Sequence, residues 1–406
     1  MLAGLRVIEL SAFVAAPLGG ATLAAMGAEV IRIDLPGGGI DIGRWPLWNG
    51  RSLYWAGLNQ GKLSVTIDTR LPRGRELVKD LVVRSGEGGG ILLTNLPVEA
   101  WLRYEELAAR RPDTIMLVIT GDPNGGTAVD YTINAAIGFP WVTGPQEATG
   151  PVNHVLPAWD ALTGYLAAAA LLAAERHRRR TGEGQIIRLS LADVALAISG
   201  HLGLLAEAQL DPTPRPRVGN HIYGTFGHDF VTRDGRQMMV VALTPRQWVS
   251  LLEATASQDA ARRLEVARGE DLREEGARYR ARAEIVAMLA PWFAQRTLSE
   301  IGETLDRHGV LWSPYQTFKE LVESDPRASL ANPMFSNVAQ PGVGSWLAAG
   351  SPVRFGATPH KPANRAPELS EHTDQVLKEV LGLSPADIEN LRREEVLGPP
   401  PQTPSR

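Results

Sequence analysis

LRVIELSAFVAAPLGGATLAAMGAEVIRIDL, residues 5–35, is two short apolar runs separated by a stretch of small residues. Residues 5–10 and 29–35 have the length and β-branched content of strands, and residues 17–26 read as a helix. A strand, a helix and a strand in that order form a right-handed unit with parallel strands, and ligands bind beyond the strands' carboxyl ends. The turn after the first strand, SAFVAAP, lacks G-x-G-x-x-G. A dinucleotide reading thereby loses its main support, although Asp34 ends the second strand where a ribose-binding acid would stand. The Gly37, Gly38, Gly39 run that follows reads as a flexible turn.

The alternation continues outward from this unit. LSVTIDT (63–69), GILLTNL (90–96) and TIMLVITG (114–121) are strand candidates separated by helical or loop stretches, and residues 186–210 read as a strand running into a helix. The expected fold is α/β, with a large Rossmann-like domain built on a mostly parallel sheet. Composition shifts at DPTPRPRVGN (211–220), whose alternating prolines suit an extended linker. Residues 221–323, with a hairpin turning at Arg233-Asp234-Gly235-Arg236 and charged amphipathic helices after it, read as a smaller α+β domain. A second loose stretch from 324 returns the chain to the first domain. The large domain is therefore expected to take residues 1–210 and 324–395, and the Pro-rich tail 396–406 to be disordered.

Composition removes several classes of function. With no cysteine, the 406-residue chain has no disulfide, thiolate metal site or cysteine nucleophile, and it fits a reducing, cytoplasmic setting. No charged-then-apolar leader opens it, and its longest apolar run, 162–174, is too short to span a bilayer. A net charge of −4 argues against general affinity for nucleic acid or anionic membrane, and RHRRR at 176–180 reads as a solvated helix end. P-loop, H-E-x-x-H and G-x-S-x-G patterns are missing, and the eight histidines lack ligand spacing, so no metal site is expected. Carboxylate chemistry remains. In PVNHVLPAWDALTGYLAAAALLAAERHRRR (151–180), Asp160 falls in the first turn of a long Ala/Leu-rich helix, where unpaired backbone N–H groups favour the carboxylate. Asp160 reads either as a helix-capping acid or as a nucleophile or proton-transfer group.

Five segments taken together resemble CoA-transferase family III, which includes formyl-CoA and carnitine-CoA transferases and methylacyl-CoA racemases. They are residues 2–34, LNQGKLSVTID (58–68), TNLPVEAWLRYEELAARRPDTIMLVITG (94–121), the Asp160 segment followed by TGEGQ (181–185), and NRAPELSEHTDQVL (364–377). The resemblance implies that Asp160 attacks an acyl-CoA thioester and then carries CoA as an aspartyl thioester. It implies CoA contacts at Ala12, Phe13, Val14, Ala15 and Ala16, at Lys62, at Asn95 and Leu96, and at Arg103. For Arg103 an ion pair with Glu106 is the alternative. Leu35 and Leu63 stand where relatives carry arginine. By analogy the oxyanion donors would come from a loop at 219–227. The racemases' histidine and glutamate fall on Val129 and Thr244, neither of which can transfer a proton, so racemisation is not expected.

Residues 37–46, 129–145 and 152–160 are similar to a branch that moves CoA between C1 and C4 of mesaconate. An acyl-CoA dicarboxylate is thus the expected small-molecule partner, CoA entering as part of the substrate and no other cofactor being needed. Arg44, Tyr131 and His154 are candidates to hold the substrate, for which a surface or packing role is the alternative. Transfer between two separate acids, or binding of acyl-CoA without catalysis, are the competing functions. The resemblance further implies an interlocked homodimer and a place in glyoxylate assimilation by a 3-hydroxypropionate route.

Overall fold

A computed structural model describes residues 1–399. The chain divides into two compact units, the first made of Met1–Ile137, Val155–Ala206 and the chain from Pro326 on, the second of Gly138–His154 and Glu207–Asp325.

In chain order the elements are β1 (Arg6–Leu10), α1 (Ala15–Ala25), β2 (Glu29–Asp34), a small ribbon of β3 (Leu47–Trp48) and β4 (Arg51–Ser52), and α2 (Leu53–Leu58). Then come β5 (Leu63–Thr66), α3 (Pro72–Val83), β6 (Ile91–Thr94), α4 (Tyr104–Arg110), β7 (Ile115–Thr120) and α5 (Asp130–Ala136). A short α6 (Phe139–Val142), a long α7 (Ala158–Thr181), β8 (Gln185–Ser190), α8 (Leu191–His201) and α9 (Leu204–Leu210) follow.

Six of these strands form one sheet in the order β5-β2-β1-β6-β7-β8, and every pair in it is parallel. Ile8 is in register with Ile31 on one side and Leu92 on the other. Ile8, Ile31, Val65, Leu92 and Met116 are fully buried, as expected for strands covered on both faces. Ordered by their place in the sequence, the six strands run 3-2-1-4-5-6. The topological switch therefore lies between β1 and β6, where this class of sheet opens a crevice at its carboxyl edge. α3 begins with proline in its first turn and buries Leu77, Val78, Leu81 and Val82, residues four and three apart that share one helix face. Small residues bring α1 against α7: a Cβ on Gly164 would lie 2.7 Å from the Ala15 carbonyl oxygen.

The end of the chain completes this unit. Helices Thr373–Leu381 and Pro385–Arg393 lead to Val396 and Leu397, which are buried in the main core. The Asp68 N–H donates to the Val396 carbonyl at 2.8 Å. The tail expected to be disordered from 396 thus begins with two core residues, and residues 400–406 of that tail lie outside the described residues.

In the second unit, β9 (Phe226–Val231) and β10 (Gln237–Ala242) make an antiparallel hairpin extended by β11 (Leu311–Pro314). The hairpin turns through Gly235 at φ +73°. Helices 245–254, 282–294 and 298–308 pack on it around Phe226, Phe230, Trp248 and Phe293. Residues 211–220 carry no helix or strand. Within them Arg217 donates to the carbonyls of Ala148 and Gly150, both at 2.7 Å, and of Pro140 at 3.2 Å. That cross-linking ties 138–154 to the second unit, so the segment expected as a linker is part of the unit and 138–154 leaves the large domain.

Candidate active site

The first unit carries a cleft of about 480 Å³ at the carboxyl edge of its sheet. Phe13, Val14 and Ala15 from the turn after β1, Asn95 after β6, Arg44 and Tyr54, Asp130 and Tyr131 at the start of α5, and Asp160 in α7 line it. The loops joining α/β elements carry binding groups for the reason already given: they meet where the strand order reverses.

Asn95 locks that reversal. Its Oδ1 accepts the Ala12 N–H at 2.9 Å and its Nδ2 donates to the Ala12 carbonyl at 2.7 Å, joining the ends of β1 and β6. Phe13 follows at φ +63°, a conformation costing a bulky residue about 1–3 kcal/mol unless its surroundings impose it. Its N–H donates to Asp41 Oδ2 at 3.0 Å. The Arg44 guanidinium carbon lies 5.1 Å from the Phe13 ring centre and 5.2 Å from that of Tyr54, so two aromatic faces hold one cation.

Asp160 is where the sequence placed it, in the first turn of α7. Its electrostatics are different. The N–H groups of Trp159 and Asp160 donate at 2.8 and 3.0 Å to Oδ2 of Asp130, which takes the helix start as its own. Burial and then the Asp130 charge push the Asp160 carboxyl up to about 7, against a downward pull from Arg44. The expectation that the helix terminus would simply keep Asp160 ionised is corrected by this: the free donors are consumed by a second acid. Burial also pushes the Tyr54 hydroxyl up to about 12, so it stays protonated and able to donate.

The other expected residues fall in varied settings. Ala12 is buried beside Asn95, and the Leu96 N–H is turned inward to Thr94 Oγ1 at 3.1 Å. Arg103 is exposed at the start of α4. The alternative ion pair with Glu106 is not formed, because Glu106 pairs with Lys79 at 3.0 Å. Lys62 is fully buried, and its ammonium donates to Glu9 Oε1, the Pro17 carbonyl and Asn59 Oδ1 at 2.8, 2.8 and 2.9 Å. Those three acceptors occupy every proton it has, and burial pulls its pKa down to about 8, so the structure gives it an internal task in place of a contact with ligand. Leu63 packs on the core. His154 belongs to the second unit, as does the 219–227 loop. Asp34 is buried and held in two hydrogen bonds by Arg32, at 2.9 and 3.0 Å, which leaves no ribose-binding acid at the end of β2. Among the described residues no group of three or more histidine or acidic side chains is placed to hold a metal ion.

Tyr54, Asp130 and Asp41 were not picked out from the sequence. Asp130 stands in a helix-start position like that of Asp160, which is a visible signal. Tyr54 sits in an unremarkable run, LYWAGL, and carries none.

A profile described as CoA-transferase family III matches residues 2–373. The chain is 52% identical over 402 residues to a 2-methylfumaryl-CoA isomerase of Chloroflexus aurantiacus, covering 98% of each. It is 30% identical to the succinyl-CoA–D-citramalate CoA-transferase of the same organism, with 97% of each covered. A crystal structure of a CaiB/BaiF family protein from Brucella suis superposes with a TM-score of 0.75 at 26% identity, over 93% of this chain and 99% of that one. With a profile spanning most of its length and a relative aligned from end to end, the chain belongs to CoA-transferase family III.

Proposed function

We propose that the enzyme moves CoA between the C1 and C4 carboxyls of mesaconate, converting 2-methylfumaryl-CoA to 3-methylfumaryl-CoA. The observation that carries this reading is a carboxylate and a guanidinium, Asp160 and Arg44, facing one cleft in a chain 52% identical to an isomerase of that name.

The Asp160 carboxylate attacks the C1 thioester carbonyl, forming a mixed anhydride and releasing CoA thiolate. The thiolate attacks the aspartyl carbonyl and expels mesaconate, leaving an aspartyl-CoA thioester. The C4 carboxylate then attacks this thioester, regenerating an anhydride and free thiolate. Attack of the thiolate on C4 frees Asp160 and gives the product. A carboxylate is a modest nucleophile, so each step depends on close positioning of bound partners. Arg44 supplies a cation for whichever carboxylate of mesaconate is not reacting, and Tyr131 lines the same cleft. His154, a substrate candidate on sequence grounds, is given no step. The backbone of residues 12–15, Asn95, Leu96 and the exposed Arg103 are assigned to CoA, which arrives with the substrate; no further cofactor is invoked. Val129 lines the cleft and Thr244 caps a helix through the N–H of Gln247, so neither offers the proton relay of a racemase. The active form is taken to be a homodimer.

The test is to incubate the enzyme with mesaconyl-C1-CoA and isotopically labelled free mesaconate and to follow the C4 thioester by mass. Unlabelled product is expected. Labelled product would identify transfer between separate acids, and no C4 product would withdraw the substrate while leaving the family in place.

A further inference from the structure

Beneath the turn that follows β1 lies a charged cluster sealed from solvent. Arg32 and Asp41 are 0% and 1% exposed. Arg32 Nη2 donates to Asp41 Oδ1 and Oδ2 at 3.1 and 3.2 Å and to the Ser11 carbonyl at 3.1 Å. Its Nη1 reaches Asn59 Oδ1 at 3.1 Å. Burial works against the charge of Arg32, and Asp34 and Asp41 overcome it, holding the guanidinium protonated.

Asp41 links this cluster to the cleft. Asp41 is fixed by Arg32, and its Oδ2 also accepts the N–H of Phe13, the cleft residue whose backbone is left-handed. A side chain of this size adopts that conformation only when something holds it there. The Phe13 ring, so placed, meets the Arg44 guanidinium, while Ser52 Oγ fixes the Arg44 carbonyl at 2.5 Å. Each link is a hydrogen bond or ring contact between neighbouring groups, leading from a buried ion pair to a cation at the cleft.

We propose that Asp41 is a positioning residue: braced by Arg32, it holds Phe13 in its left-handed conformation, and Phe13 with Tyr54 keeps Arg44 where it selects thioesters bearing a second carboxylate. This rests on the dicarboxylate reading above for the identity of the substrate. It assigns Asp41 an effect confined to the carboxylate end of the substrate at pH 9, because its contacts lead to Arg44 and at that pH Asp160 is ionised with or without the pull of Arg44.

The experiment compares two thioesters of the same carbon frame, 2-methylfumaryl-CoA and 2-methylbut-2-enoyl-CoA, which carries a methyl group in place of the free carboxylate. Formation of the aspartyl-CoA adduct at pH 9 is followed by intact-protein mass after acid quench. Losing a held charge-assisted contact should cost Asp41→Asn about tenfold in adduct-forming kcat/KM for the dicarboxylate, chiefly through KM, and less than about twofold for the monocarboxylate. Arg32→Lys, which loosens the brace on Asp41 while keeping the buried charge, should show the same selective loss and stands in if Asp41→Asn does not fold. Equal losses on both substrates, or none on either, would overturn the proposal. A wild-type enzyme that forms adduct but no C4 thioester overturns the isomerisation and leaves the selectivity comparison intact. One that forms no adduct overturns both.

Discussion

A carboxylate attacks a thioester only when ionised, and Asp160 is held near the midpoint of its titration at neutral pH, with its carboxyl pushed up to about 7. Adduct formation should therefore rise with pH through about 7 and level off above it. The neighbours move that limb in opposite directions. Asp130→Asn keeps an acceptor for the N–H groups of Trp159 and Asp160 but removes a repelling charge, and it should shift the limb down by about one pH unit. Arg44→Gln removes an attracting charge and should shift it up. Stopped-flow rates from pH 5 to 9 check both signs, and shifts in one direction for both variants would refute the electrostatic account. Asp160 was legible because a helix start is written locally, in Pro157 followed by an Ala/Leu run. The 30 positions that separate Asp130 from Asp160 hide their pairing. Lys62 misled for a similar reason: the Gly61-Lys62 motif is visible, while its three internal acceptors are gathered by tertiary folding.

The elements themselves were largely readable, since parallel strands buried on both faces are near-continuous apolar runs. Each of the six central strands falls on a run singled out from residues alone. Less readable was how closely the helices approach. The Ala and Gly content of α1 and α7 permits contact without revealing that Gly164 faces the Ala15 carbonyl with no room for a methyl group. Gly164→Ala places its Cβ 2.7 Å from that oxygen and 3.0 Å from the Leu18 Cβ. The helices must move apart, which should cost about 1–3 kcal/mol. Ala15 and Asp160 both line the cleft, on α1 and α7 respectively, so the same displacement widens the site. Urea denaturation should show the lowered midpoint, and activity at a temperature where the variant stays folded should fall as well. Unchanged stability would mean the α1–α7 contact is looser than its geometry states.

On the scale of the whole chain, sequence punctuation was a partial guide. The prolines of 211–220 announced irregular backbone, but nothing local to 138–154 announces that it belongs with the second unit, because Arg217 reaches it from some 70 residues away. Nor did the tail's prolines reveal the two apolar residues, Val396 and Leu397, that close the core before them. No single helix among the described residues is long and apolar enough to cross a membrane, yet the first unit leaves a sizeable apolar surface uncovered. Leu162, Tyr165 and Leu166 are 39%, 49% and 45% exposed and, at spacings of three and four, share one face of α7. Leu196 in α8 and Leu202 just after it are 49% and 65% exposed, and α7 and α8 touch. Apolar residues clustered in this way mark surfaces that meet another protein chain. A homodimer would bury them, and light scattering should then give a particle of twice the 43.9 kDa chain mass. Replacing Leu166 and Leu196 together with glutamate should lower that mass, because a charge buried without a partner opposes association. A wild-type protein that stays at the mass of one chain at micromolar concentration would rule the homodimer out and leave this face to some other partner.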